Sequence, residues 1–388
     1  MLRVCIPLSA LILWSSAVSA ATTIPLLPPP KLQASSYLLI DSQTQTVIAE
    51  HNAQERNPPA SLTKIMTGYV VEEEIRRGRL GVDEPVQISV NAWRTVGSKM
   101  FIREGTSVPV ADLLKGVIIQ SGNDASVALA EHIAGSEDAF ADLMNQQASL
   151  LGLEDTQFRN ATGLPDEQHY STAKDLALLT RALIENHPEQ YQLYSEKSFT
   201  FNNIEQPNRN RLLWRDRSVD GVKTGFTNAA GYCLVASAER NGMRLISVVL
   251  GTDSDEARMR ESQKLLSYGF RNFETKTLYS QNQTLQEQPI YYGVVESMPI
   301  GVAEDVVLTF PKCYYQDIEA SITVPEYFEA PVRKGDVLGT IELKLGGENL
   351  YSGNVVALAT VEEAGVFSRL GDYIYLLFYQ SEIGRAHV

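Results

Sequence analysis

Cysteine is nearly missing from this chain, with three in 388 residues. Cys5 falls in an apolar leader, so Cys233 and Cys313 remain, far apart in sequence, and they make no disulfide framework. Cys233 lies in an apolar run and reads as a small buried residue. Histidine is also scarce: His51, His132, His169, His187 and His387 show no metal-ligand spacing, so neither a metal nor another cofactor is expected. Positive charge is in deficit, with 33 Lys and Arg against 47 Asp and Glu and a formal net charge of −14. That excludes a nucleic-acid partner, which needs clustered cations to neutralise phosphates. Any anionic ligand must meet a local cluster of cations. Beyond the leader no apolar run is long enough for a bilayer-spanning helix.

What is present begins with a signal-peptide pattern over residues 1–20. Arg3 is followed by an apolar stretch at 6–18 and the small residues Val18-Ser19-Ala20. A Pro-rich spacer occupies 21–34. The length suits two domains, and 44% hydrophobic residues suit packed cores. In the first domain, 35–275, strands are expected at 37–40 and 46–49, and Pro58-Pro59 introduces a helix. Leu62, Ile65, Met66, Tyr69 and Val70 recur there at helical spacing and mark its buried face. Helices follow at 110–133, broken at Ser121-Gly122, at 137–151, and at 173–186, where Thr172 and Asp175 form a start signal. Apolar runs at 232–238 and 243–250 join across Asn241-Gly242, a hairpin signal, and a helix at 256–266 closes the domain. The expected fold class is α/β: one antiparallel sheet built from both ends of the domain, flanked by helices, with a helical insert. A β-rich domain at 276–362 follows, with strands at 306–310, 318–324, 337–345 and 354–361 and a turn at Gly346-Gly347. It carries no catalytic constellation and reads as a spacer or partner-binding module.

Three short motifs carry chemistry. Ser61-Leu62-Thr63-Lys64 sets a hydroxyl and an amine one helical turn apart, on a different face from Leu62, Ile65 and Met66. Ser171-Thr172-Ala173-Lys174 repeats the pattern, but helix capping accounts for it. Order separates the two: only Ser61 precedes both Ser121-Gly122-Asn123 and Lys223-Thr224-Gly225. An ordered triplet of this kind, with Ser-Asp-Asn in the middle, marks penicillin-binding proteins and class A β-lactamases, and here the middle motif is Ser-Gly-Asn. A serine hydroxyl needs a neighbouring base, and a lysine serves only if its pKa falls well below ~10.4. Lys223 can supply the lowering charge, Ser121 a proton relay, and Asn123 orientation of both lysine and substrate amide. Lys223 and Thr224 suit a carboxylate. Gly225 leaves an extended substrate room beside the strand, and the N–H groups of Ser61 and Phe226 suit an oxyanion.

On these residues the chain resembles the low-molecular-mass penicillin-binding proteins of the D-alanyl-D-alanine carboxypeptidase type, the penicillin-binding protein 5 and 6 group. The likeness extends over Pro59 to Thr67, Ser121 to Ala125, Asn208-Arg209-Asn210, Val219 to Gly225 and Leu234 to Ala238. It implies Ser61 as the acylated nucleophile, Lys64 as base, Ser121 and Asn123 as the second wall, and Lys223 and Thr224 as carboxylate holders. It matches Arg209 to a cleft-facing arginine and Arg258, with Arg260 as rival, to one near the rim. Phe226 departs from relatives that carry histidine. The implied partners are peptidoglycan stem peptides ending in D-Ala-D-Ala and β-lactams, and the implied location is periplasmic.

Alternatives stay open at this level: a D,D-endopeptidase or weak transpeptidase, a weak β-lactamase, or a silent peptidoglycan-binding scaffold. At the C-terminal end Val366, Phe367, Leu370, Tyr373, Ile374, Leu377 and Phe378 share one helical face. This expects an amphipathic helix over 363–380 lying in the outer face of the inner membrane, with packing on the β domain as the rival. Residues 382–388 resemble a translated sequencing adapter and are expected to be an artefact.

Overall fold

The computed structural model describes residues 28–386, and side chains as far as 377. The expected leader and residues 21–27 of the spacer lie outside the described residues. The chain forms two compact units. Among the described residues one comprises 28–279 with 305–312, and the other holds 280–304 and 313–386.

The first unit is built on a five-stranded antiparallel sheet. Its strands are β1 (Ser36–Asp41), β2 (Val47–His51), β3 (Val219–Thr227), β4 (Gly231–Arg240) and β5 (Met243–Thr252), in the spatial order β2-β1-β5-β4-β3. Both ends of the unit supply strands, as the sequence predicts. Between β4 and β5, Asn241 (φ 52°) and Gly242 (φ 79°) are both left-handed, which the tight hairpin turn requires. Side chains alternate across the sheet: Leu38 and Ile40 enter one core, Tyr37 and Leu39 the other.

The inserted helices cover the first of these cores: α1 (Thr63–Arg76), α2 (Asn123–Ala134), α3 (Glu137–Leu150) and α4 (Ala173–Asn186). The expected one-sided stripe on α1 is a correction. Every residue from Thr63 to Glu73 is buried, because α2, α3 and α4 all pack around it. The break at Ser121-Gly122 is real. An α-turn (Val110–Lys115) widens into a π-turn (Gly116–Gln120) and stops at Ser121, whose φ is +66°.

On the other face lies α5 (Asp255–Asn272). It runs past the expected end at 266 because Phe270 is buried in the core, and Gly269 lets the helix approach the sheet. A Cβ at Gly269 would lie 2.6 Å from Leu245 and 2.8 Å from Leu39. β6 (Phe273–Tyr279) then pairs with a later strand of the same unit, Val306–Pro311.

The second unit is a six-stranded sheet. Its strands are β7 (Thr284–Tyr291), β8 (Ser297–Gly301), β9 (Ile318–Thr323), β10 (Phe328–Glu329), β11 (Val337–Leu345) and β12 (Glu348–Ala357), ordered β9-β11-β12-β8-β7-β10. The strand expected at 354–361 starts earlier, at Glu348. The left-handed pair Gly346-Gly347 turns the chain there and sets Leu345 opposite Glu348. Helix α6 (Val366–Ala386) ends the described chain. Its Asp372 carboxylate accepts from the Tyr292 N–H at 2.6 Å, Tyr375 stacks on Tyr291, and Leu376 is buried. Val366, Phe367, Leu370, Tyr373, Ile374 and Leu377 are exposed. No helix among the described residues is long and apolar enough to cross a membrane.

Candidate active site

Three segments far apart in sequence meet at one cleft of about 230 Å³ in the first unit. Ser61 sits in a single 3-10 turn (Ala60–Leu62) that leads into α1, so Lys64 on the first turn of α1 lies directly beneath it. Ser121 and Asn123 come from the break before α2. Thr224 and Gly225 come from β3, an edge strand with one side free to pair with an added chain.

Lys64 is the hub. Its side chain is buried, and Nζ donates to Ser61 Oγ at 3.2 Å, to Asn123 Oδ1 at 2.7 Å and to the Thr162 carbonyl at 2.6 Å. Burial lowers its pKa to about 7, with the Arg209 charge acting in the same direction and Asp124 and Glu137 opposing. The amine is therefore poised to give up or take a proton near neutrality. Asn123 is itself fixed, donating from Nδ2 to the Val96 carbonyl at 2.7 Å.

Lys223 is buried on β3, and Nζ donates to the Thr224 carbonyl at 3.1 Å. Desolvation, then the charges of Lys64, Arg209 and Arg258, push its pKa well down. Arg209 lies close by, donating to the Gln120 carbonyl at 3.0 Å and to Ser98 Oγ at 3.0 Å. Arg258, buried on α5, donates to the Gly225 carbonyl at 2.9 Å and pairs with Asp255. Arg260 instead pairs with Glu261, away from the cleft lining. Phe226 is 48% exposed and its ring packs on Tyr232, so the side chain is available at the mouth while its backbone stays in β3.

Gly225 has a packing reason as well. A Cβ there would lie 3.1 Å from the Pro59 carbonyl and 3.3 Å from Ala60 and Leu62. The missing side chain lets β3 close on the turn that carries Ser61, and is not only room for a ligand. Backbone strain gathers at the same place: Ala60 (φ 48°) precedes Ser61, and Ser121 (φ 66°) faces it. Such non-glycine conformations cost about 1–3 kcal/mol each and persist where surroundings hold them.

Sequence reasoning missed the loop 160–164. Asn160 Oδ1 accepts from the N–H of Thr162 (3.1 Å) and of Gly163 (2.7 Å), which aims the Thr162 carbonyl at Lys64. Gly163 is left-handed (φ 81°), and a Cβ would collide with the Ala60 carbonyl. The run Asn160-Ala161-Thr162-Gly163-Leu164-Pro165 is a turn signal that could have drawn notice. The repeated motif at Ser171 resolves as structure. Ser171 is buried against Thr156, Lys174 is exposed, and Thr172 Oγ1 accepts from the Asp175 N–H at 3.0 Å.

The fold and this cleft place the molecule among the serine hydrolases of the penicillin-binding class. Residues 22–254 match the peptidase S11 model, D-alanyl-D-alanine carboxypeptidase, and residues 273–363 match the penicillin-binding protein 5 C-terminal domain. The chain belongs to the D-alanyl-D-alanine carboxypeptidase family. It is 45% identical to D-alanyl-D-alanine carboxypeptidase DacC of Escherichia coli (strain K12), over 90% of both chains. It is similar in structure to penicillin binding protein 5 from Haemophilus influenzae, with a TM-score of 0.81, 42% identity, and coverage of 87% of this chain and 100% of that one. Penicillin-binding protein D2 from Listeria monocytogenes, in its ampicillin-bound form, matches at a TM-score of 0.59 and 34% identity, over 63% of this chain and 100% of that one.

Proposed function

We propose that this chain is a serine-type D-alanyl-D-alanine carboxypeptidase acting on peptidoglycan stem peptides through an acyl-enzyme on Ser61. Ser61 Oγ attacks the carbonyl carbon of the penultimate D-alanine as its proton passes to Lys64 Nζ. The oxyanion lies between the N–H groups of Ser61 and Phe226. The C–N bond breaks, the terminal D-alanine leaves with a proton relayed through Ser121, and water then hydrolyses the ester. Lys223, Thr224 and Arg209 receive the terminal carboxylate, while Arg258 steadies β3 through the Gly225 carbonyl. β-Lactams acylate the same serine.

The observation that carries this reading is the buried Lys64 amine, 3.2 Å from Ser61 Oγ and held by Asn123 and Thr162. Mass spectrometry after incubation with penicillin, and separately with a D-alanyl-D-alanine peptide, tests it. The expected result is a covalent adduct on the peptide containing Ser61, and release of free D-alanine. Adduct without release would leave a binding scaffold; release of an internal fragment instead would mark an endopeptidase.

Export to the periplasm and attachment to the membrane belong to the same proposal. The supporting observation for attachment is α6, whose Asp372, Tyr375 and Leu376 face its own unit while its apolar stripe stays exposed.

A further inference from the structure

Asp124 follows directly on the Ser121-Gly122-Asn123 motif, yet the mechanism above gives it no part. Its side chain is fully buried on the first turn of α2, where a carboxylate without partners is costly. Four backbone N–H groups satisfy it. Oδ1 accepts from Met100 at 2.9 Å and Ala125 at 2.9 Å, and Oδ2 accepts from Phe101 at 3.0 Å and Ile102 at 3.3 Å. Gly122 makes the room. A Cβ there would lie 2.8 Å from Asp124 Oδ1 and 3.2 Å from the Met100 nitrogen. Donors from three successive loop residues on one carboxylate fix the course of that loop, with Phe101 left-handed at φ 70°. The Phe101 side chain is half exposed, so core packing does not impose that conformation.

The loop held in this way reaches the cleft, where Gly97 and Ser98 line the wall. The Val96 carbonyl accepts from Asn123 Nδ2 at 2.7 Å, and the Ser98 carbonyl accepts from the Asn123 N–H at 2.7 Å. Ser98 Oγ donates to the Gln120 carbonyl at 2.9 Å and accepts from Arg209 at 3.0 Å. The loop therefore places Asn123, which holds Lys64, and Arg209, which meets the carboxylate. Charge acts alongside geometry. Asp124 and Glu137 favour protonated Lys64, against burial and the Arg209 charge, and Lys223 lies close enough to feel the Lys64 charge.

We infer that Asp124 is a positioning residue for acylation: its carboxylate clamps residues 100–102 and thereby sets Asn123 and Arg209 around Ser61. The inference rests on the acyl-enzyme reading of the cleft.

The test is the second-order rate of penicillin acylation across pH in the full chain. Asp124→Asn keeps the shape but turns an amide N–H₂ toward the Phe101 and Ile102 donors, so the plateau rate should fall about tenfold or more. Loss of the carboxylate charge should also let Lys64 give up its proton more easily, moving the rise of rate with pH to lower pH. A folding defect alone would leave that rise in place. Phe101→Pro and Phe101→Gly form a second arm that keeps Asp124 and does not depend on the buried variant folding. Proline has no N–H and cannot take φ 70°, so it should slow acylation by a similar factor without moving the rise. Glycine accepts that conformation and should stay within about twofold of the parent. Parent rates in Asp124→Asn or in Phe101→Pro overturn the inference, and so does an Asp124→Asn profile that does not move down in pH. Equal losses in the proline and glycine variants overturn it too, by assigning the effect to the lost ring. A parent that forms no Ser61 adduct would instead overturn the acyl-enzyme reading, and this inference with it.

Discussion

Single side chains decide the proton chemistry. Burial holds the Lys64 pKa at about 7, so the fraction of free amine rises as pH rises through that value. Acylation should therefore show a rising limb near neutrality. Arg209 is one cause of the lowering, so Arg209→Gln should move that limb to higher pH, measured as kcat/KM for a neutral ester; a limb that stays put would count against the assignment. Lys64→Ala should suppress acylation by every substrate, because the base is needed whatever the acyl group. Lys223→Ala should hurt carboxylate-bearing substrates most, and equal losses for charged and neutral esters would refute the carboxylate role. Asn160 acts through others, as a positioning residue. Asn160→Ala frees the loop that aims the Thr162 carbonyl, at about 1–3 kcal/mol for the lost bonds. Penicillin acylation should slow by about tenfold or more on that energy scale, with the pH limb displaced. A change in thermal stability alone would mark Asn160 as merely structural.

At the scale of elements, two left-handed glycines make a contrast. Gly242 sits in an open hairpin turn with nothing within 4 Å of a built Cβ, whereas Gly163 faces the Ala60 carbonyl. Gly242→Ala should cost only the conformational term, about 1 kcal/mol, and leave acylation alone. Gly163→Ala should cost more, about 2–3 kcal/mol with the clash added, and should slow acylation because the Ser61 turn must shift. Equal unfolding shifts for the two would show that the contact with the Ser61 turn is not tight. Elements with local signals were legible: Thr172 caps α4, and Asn241-Gly242 turns β4 into β5. The full burial of α1 was not, since it depends on helices that pack from three other directions and leave no period in the helix itself. The end of α5 was hidden for the same reason, because Gly269 looks like a breaker until Leu39 and Leu245 press against it.

For the molecule as a whole, the exposed stripe on α6 and the cleft belong to different compact units. Phe367→Glu with Leu370→Glu should weaken binding to anionic vesicles in a flotation assay, while the penicillin acylation rate stays as in the parent. Unchanged flotation would dismiss α6 as an anchor.

The sequence by itself determined the order Ser61, Ser121, Lys223, the α/β character, the hairpins and the acidic balance, because each is read from short local patterns, their order along the chain, or a count of residues, without knowing what touches what. Motif order had already chosen Ser61 over Ser171, and the tertiary structure adds the reason Ser171 is inert, burying it against Thr156 while Lys174 is exposed. Only the tertiary structure brought the Thr162 carbonyl to Lys64, and set Gly225 against Pro59 and Ala60. Those contacts join segments about a hundred residues or more apart, and no local pattern in a chain encodes which distant backbone group will occupy the space a side chain leaves.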